Sequence, residues 1–392
     1  MNYHRNVLLK LLFIFTFFLS NIAFAFSFTI PQHIIIYRDF GHKGDENQIR
    51  GVIFAYAKMG KDLKVEEFNL GQEKEFLSAV QKALENKKEK TVVLAVGEKT
   101  VSPFANLLPI EGATTVHLCH MVTANHSALL GKVDFIALPT HSVREFENAL
   151  ADSKTQLIKT VGVSHNRQIK EIERTYHANN NKIPLSNFYL GVILAGDAPT
   201  PDNKVQLFTE ANARELARYI ASILKDQHLL IINGPRTGKY DPQTLTERKE
   251  AHRDGKNDFI TQAFLDELKK SKISEKQISL FNFQFGVSTP QDMDLLLGTI
   301  RATNSTILVP GESTSSISEC IDVLPRGSVV VYHNTAMNKV HTAHVETELE
   351  AGRIKLLQQG FKETREQKDN SKNQDTASHH SAAETIAAVL SH

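Results

Sequence analysis

The chain is short of cysteine and of net charge, and each shortage removes a class of function. Two cysteines, Cys119 and Cys320, in 392 residues cannot staple a disulfide scaffold. They fall in different halves of the chain, so two free buried thiols are expected. A formal charge of +1, with no basic stripe interleaved with aromatics, excludes a dedicated nucleic-acid binder. Beyond residue 28 no run is apolar enough to span a bilayer. Familiar ligand motifs are missing too. Residues 234–239 place three residues between two glycines and then Lys239-Tyr240, where a phosphate-binding loop of the Walker type needs four and then Lys-Ser or Lys-Thr. His341-x-x-His344 lacks the glutamate of a zincin helix. His117, Cys119 and His120 crowd one strand too tightly to suggest a metal site, so neither a metal nor another cofactor is expected. No Ser-His-Asp or Cys-His arrangement can be picked out, although a triad has no fixed spacing.

What is present begins with an export signal. Arg5 and Lys10 precede an apolar run at 11–19, and Ala23-Phe24-Ala25 supplies a small-x-small cleavage pattern. Residues 1–25 therefore read as a signal peptide of a periplasmic or secreted protein. Membrane contact is then expected only through this segment. The alternative is an uncleaved inner-membrane anchor, because Phe26 and Phe28 lengthen the apolar stretch.

Short β-branched apolar runs at 33–37, 63–68, 91–96, 114–119, 133–138 and 159–163 alternate with helical segments. A polar, Asn-rich piece at 177–182 reads as a linker, after which a second series starts at 189–194, 229–232, 279–283, 306–309 and 329–332. Strands alternating with helices give parallel sheets covered on both faces. The expected fold is α/β, with two Rossmann-like domains, 26–180 and 181–345, facing a central cleft. A polar, partly disordered tail at 346–392 follows, ending in one short helix at 381–390. Ligands in such sheets sit at the carboxyl ends of strands, so the loops there are the ones that matter.

The stretch 305–332 is the most informative of them. A strand at 306–309 is broken by Pro310-Gly311, and a loop rich in hydroxyls, Glu312-Ser313-Thr314-Ser315-Ser316, follows. Ile317, Ile321 and Leu324 then recur at helical spacing until Pro325 and Gly327 stop the helix. Free backbone N–H groups and the positive end of the helix dipole make this an anion site. The competing reading is a capping box formed by Ser316-x-x-Glu319, which needs no ligand.

Several motifs recur in a fixed order. The first strand is followed by Gly41-His42-Lys43-Gly44-Asp45-Glu46-Asn47-Gln48, and Gly97-Glu98-Lys99-Thr100 and Thr160-Val161-Gly162 come later. The 192–199 strand and turn, Arg236-Thr237 and the 305–319 stretch complete the series. Together, over roughly residues 33–335, they resemble the plant mitochondrial-fission family named for elongated mitochondria, with its bacterial members of uncharacterised function. The resemblance implies a glycosyltransferase-like protein of the GT-B architecture, holding a nucleotide-sugar or related phosphorylated ligand against an unknown acceptor. On that basis Ser313, Ser315 and Ser316 would meet the diphosphate, Glu319 the ribose, and Arg236 with Thr237 the phosphates. Gly41, Gly44, Asn47, Gln48 and Gly196 would shape the rest of the binding site. A general base would come from Glu46, Asp45 or His42 on the first loop, unless those carboxylates only complement the helix dipole. Two departures weaken the phosphate reading: Gly311-Glu312 stands where the family has Ala-Asp, and Pro235-Arg236 where it has two arginines. An exported non-enzymatic binding module using the same cleft, for a small anion or a partner protein, is the alternative.

Overall fold

The computed structural model describes residues 31–391 apart from 42, 60–62, 87–88, 144–145, 151–152, 201–203, 249–254, 285–286, 288, 359, 362–363 and 366–380. The expected signal peptide, 1–25, lies outside the described residues. Among those described, no helix is long and apolar enough to cross a membrane.

Six strands form the first sheet: β1 (His33–Arg38), β2 (Lys64–Asn69), β3 (Thr91–Val96), β4 (Thr114–Leu118), β5 (Phe135–Pro139) and β6 (Gln156–Thr160). All are parallel, in the order β2-β1-β3-β4-β5-β6, with His33 in register with Lys64 on one side and Thr91 on the other. Ile34, Ile35 and Ile36 are successive and all fully buried, because helices cover both faces of β1. Each such side chain contributes about 1.5–3 kcal/mol of burial. The sequence places β6 about three residues late: the apolar 161–163 run is the turn that follows it, with Gly162 at φ +79°.

The second sheet uses β7 (Tyr189–Ile193), β10 (His228–Ile232), β11 (Ile278–Phe281), β12 (Thr306–Pro310), β13 (Val329–Tyr332), β14 (Lys355–Leu357) and β15 (Thr364–Arg365), while β8 (Ala198–Pro199) and β9 (Val205–Gln206) make a small separate hairpin. Its order is β11-β10-β7-β12-β13-β14-β15, parallel except for β15. Counted within this half, the strands run 3-2-1-4-5-6, the Rossmann order, with its switch point between β7 and β12. β14 and β15 extend the sheet past residue 345, into the stretch expected to be tail.

Two helices tie the halves together. Ile169–Asn179 crosses over to pack on Pro290–Ala302, and Ile172 is fully buried there. A Cβ at Gly298 would lie 2.7 Å from Tyr176 Cβ, so glycine permits this close crossing. The Asn-rich piece expected as a linker is thus the end of a packed helix plus the 3₁₀ turn Asn180–Lys182. The last helix, Ala382–Val389, returns to the first domain and buries Ala383, Ile386 and Ala387 against helix Lys43–Lys58.

Candidate functional site in the interdomain cleft

A cavity of about 530 Å³ opens at the switch point of the second sheet. Its floor is the carboxyl ends of β7, β10, β11 and β12, represented by Ile193, Ile232, Phe281 and Pro310. Gly196, Asn233, Gly234, Pro235, Arg236 and Thr237 line it from the loops after β7 and β10. Ser313, Ser316 and Glu319 line it from helix Thr314–Val323, and Asn47, Asn166 and Arg167 close it from the first domain. A larger cavity, about 920 Å³, opens between the sides of helix Lys43–Lys58, the 165–170 segment and the last helix, away from the carboxyl end of any strand.

Helix Thr314–Val323 begins without a side-chain cap: the Ser313 hydroxyl donates to Ser316 Oγ at 2.8 Å rather than accepting from the first turn. The capping box expected of Ser316 and Glu319 does not form, because the helix starts at Thr314 and Glu319 reaches the other way, to Arg167. No side chain caps this helix start, and Ser313 and Ser316 face the cleft, an arrangement that favours an anion.

Three loops at the switch point are fastened by one carboxylate. Glu312 is 2% exposed and accepts from the Gly196 N–H at 2.8 Å and from Asn334 Nδ2 at 2.6 Å. Burial pushes its carboxyl above the ordinary range, with the Gly196 N–H and the Arg236 charge pulling back. Glu312 lines the cavity, as its place in the sequence suggested, and its two oxygens also hold the loops together. Asp197 does the same next door, accepting from the Phe208 and Tyr240 N–H groups. Among the described residues the Arg236 guanidinium makes no ion pair, and it is half-buried at the cleft wall. Its backbone packs so tightly on Gly196 that a Cβ there would lie 2.7 Å from Arg236 Cβ and 3.0 Å from its carbonyl carbon. Gly196→Ala should therefore push the Arg236 loop outward and cost about 1–3 kcal/mol, seen as a lower thermal midpoint.

Across the cleft, Arg167 Nε donates to Glu319 Oε2 at 2.5 Å and Nη1 donates to Asp294. His165 Nε2 pairs with Asp322 Oδ2 at 3.0 Å, and the Ser318 hydroxyl accepts from the Val163 N–H at 2.9 Å. These contacts set the angle between the domains, and sequence motifs offered no sign of them.

The expected residues divide clearly. Asn47, Gly196, Arg236, Thr237, Ser313, Ser316 and Glu319 meet at the cavity. Ser315 is exposed and off its lining. Gly41 is exposed, with its N–H on Asp39 Oδ1, and Gly44 has open space around it. Gln48 is buried and its carbonyl accepts from the Ser164 hydroxyl. His42 lies outside the described residues. Asp45 and Glu46 sit in the first turn of helix Lys43–Lys58, where carboxylates complement the dipole, and neither lines the cavity. Asp45 instead packs against Gly97, at φ +84°, where a Cβ would come within 2.1 Å of its carboxylate. Both cysteines are free and buried.

Two Rossmann-like sheets whose strand ends meet across a cleft define the architecture. The fold is GT-B-like. No family model matches the chain, and no curated protein does. Among solved structures it is similar to the sucrose-phosphate synthase of Thermosynechococcus elongatus, at 10% identity and a TM-score of 0.45, over 92% of this chain and 94% of that one. It is also similar to Anabaena HepE in complex with UDP and glucose, at 12% identity and a TM-score of 0.44, over 91% and 94% of the two chains. A UDP-glucosyltransferase from Polygonum tinctorium aligns at 8% identity and a TM-score of 0.37, over 84% and 86%. The mitochondrial-fission resemblance is carried by its motifs and by none of these comparisons.

Proposed function

We propose that the cleft binds a nucleotide-sugar or a related phosphorylated ligand, and that the chain is a glycosyltransferase-type protein related to the mitochondrial-fission family. The observation that carries this is the pairing of an uncapped helix N-terminus, Ser313 to Ser316, with Arg236, which makes no ion pair among the described residues, on one cavity at a Rossmann switch point. A diphosphate satisfies both, through backbone N–H groups and a charge-assisted clamp. Glu319, held by Arg167, would then meet a ribose with one oxygen still available. Export through residues 1–25 would remove the protein from cytoplasmic nucleotide-sugars, and a lipid-linked sugar diphosphate then presents the same diphosphate to the same groups.

The binding-only reading draws on a different observation. Asp45 and Glu46 lie outside the cavity lining, so the expected general base is not beside the expected donor.

Thermal unfolding with a panel of nucleoside diphosphates and their sugars tests the proposal. A ligand at a hundred times its dissociation constant should stabilise by about 2.7 kcal/mol, and Arg236→Ala should abolish the shift. No shift from a folded sample with any of them would reduce the serine loop to an ordinary helix start. Turnover of a donor that gives a shift then separates the enzyme from the binding module.

A further inference from the structure

A second cluster of polar groups lies inside the first domain, unused by the cleft. His117 and Cys119 stand two residues apart at the end of β4, so their side chains share a face of the sheet. His126, from the 3₁₀ segment Ala124–Leu129, folds over them, its ring 5.3 Å from that of His117 and at 81° to it. One ligand atom from each of the three lies within 4.8 Å of the other two. His117 and His126 are 0% and 1% exposed, and Cys119 is 5% exposed.

The hydrogen bonds fix which nitrogens are left over. Thr100 spends its hydroxyl hydrogen on the carbonyls of Gly97, at 2.8 Å, or Val96, at 3.0 Å. Its oxygen can therefore only accept from His117 Nε2, 3.2 Å away, which places the ring hydrogen on Nε2 and the lone pair on Nδ1. That Nδ1 is buried without a partner among the described residues. Among the described residues His126 Nε2 is buried without a partner as well, while its Nδ1 accepts from the Thr123 N–H at 3.1 Å and lies 3.1 Å from the Thr123 hydroxyl. Because the Thr123 N–H donates to Nδ1, the ring hydrogen of His126 rests on Nε2, and metal binding there moves it to Nδ1, where Thr123 Oγ1, whose own hydrogen goes to the Glu98 carboxylate at 2.6–2.7 Å, can accept it. His117 thus already has the outer hydrogen bond that orients a metal-bound imidazole, and His126 acquires one when its hydrogen moves to Nδ1. A buried ring nitrogen without a partner costs about 1–3 kcal/mol, which a ligand to it would recover.

We infer that His117 Nδ1, Cys119 Sγ and His126 Nε2 form a site for one thiophilic transition-metal ion of the Zn²⁺ class, tying β4 to the segment after it. Two imidazoles and a thiolate suit Zn²⁺ and offer no oxygen set for Mg²⁺ or Ca²⁺. Tetrahedral ligands stand about 3.5 Å apart, so the three atoms need to close by roughly 1 Å, within the reach of side-chain rotation. Binding releases the Cys119 proton to solvent, and the Glu98 and Asp45 carboxylates, whose charges both reach the thiol, favour a dication there. The sequence signal was incomplete because it grouped His120 with His117 and Cys119, whereas the third ligand comes from His126. This inference holds whether or not the cleft takes a nucleotide-sugar.

Titration of the full chain with Co²⁺ decides the matter. One Co²⁺ per chain should bind with intense tetrahedral d–d bands and a thiolate-to-cobalt charge-transfer band, and Zn²⁺ should displace it. Cys119→Ser, nearly isosteric, should remove the charge-transfer band and weaken binding at least about a hundredfold. Cys320→Ser should change neither, and His126→Gln should weaken binding while leaving the circular dichroism intact. Uptake no greater than in Cys119→Ser, or a charge-transfer band that survives that substitution, overturns the site.

Discussion

Arg167→Ala should cost about 3–5 kcal/mol at neutral pH, because it strips the shared partner from two buried carboxylates rather than deleting one surface ion pair. Arg167, Asp294 and Glu319 are each largely buried at the meeting of the two domains, with side chains between 10% and 17% exposed. A single guanidinium uses Nε for one carboxylate and Nη1 for the other, a division that lysine cannot reproduce. Arg167→Lys should therefore recover only part of the loss. The deficit should also depend on pH in a definite direction. Burial raises the Asp294 carboxyl above its ordinary value while Arg167 pulls it back, so removing the arginine raises it further. A carboxyl whose folded pKa is raised destabilises most when it must be ionised, above that pKa, and costs nothing once protonated in both states. The gap between wild type and Arg167→Ala should thus narrow as the pH falls towards 4. Urea unfolding at pH 7 and pH 5 measures it, and a gap that is small or constant would mean that the interface does not depend on this arginine.

The same residues show where reading the sequence succeeds and where it stops. The sheets were legible because their strands are buried on both faces, and a run such as Ile34-Ile35-Ile36 has no other economical home. β6 was misplaced because it alternates exposed and buried positions at the sheet edge, while the more apolar 161–163 is a turn. Helix Ile169–Asn179 carries Ile169, Ile172 and Tyr176 at helical spacing, but the asparagines at 179–181 drew attention to its end rather than its body. At the cleft, Gly196, Arg236 and Ser313 could be found because strand ends mark them. Arg167 could not, since its partners are 127 and 152 residues away and no local pattern announces a contact of that span. Glu312 was visible as a carboxylate beside the site, but only the folded loops reveal that both its oxygens accept hydrogen bonds from them.

Acid should weaken the protein through histidines at the other contact between the halves, and their removal should protect it. His141 follows β5 in the first domain, and His341 and His344 lie on helix Lys339–Glu350 in the second. His141 Nδ1 and His344 Nδ1 are 3.2 Å apart, with one hydrogen between the two nitrogens, an arrangement that is lost once both rings are protonated. Among the described residues their Nε2 atoms are buried without a hydrogen-bond partner, and the Thr314 backbone offsets this for His344 only in part. Burial, and then the charge of neighbouring histidines including His120, holds His141 and His341 down to about 4 and His344 well below its ordinary value. The charged groups facing them do not reverse this: Glu348 stands 3.9 Å from His344 but is gripped by Arg353, and the Arg236 charge opposes protonation of His341. A histidine whose folded pKa is depressed stays neutral in the native state while the unfolded chain takes up a proton below about 6.5, so stability is lost as the pH falls from there towards 4. Each such histidine removes about 1.4 kcal/mol per pH unit, or about 2 kcal/mol at pH 5, somewhat less for the partly exposed His141 and His341. Glu312, Asp294 and Glu348, raised by burial, work in the opposite direction over the same range, so wild-type stability alone does not isolate the effect. The difference between variants does. His141→Asn with His344→Asn should be less stable than wild type at pH 7.5, where the neutral pair is intact, and should gain on it by about 3–4 kcal/mol on going to pH 5. Parallel stability curves for the two proteins would show that this histidine pair takes up its protons as freely in the folded state as in the unfolded one.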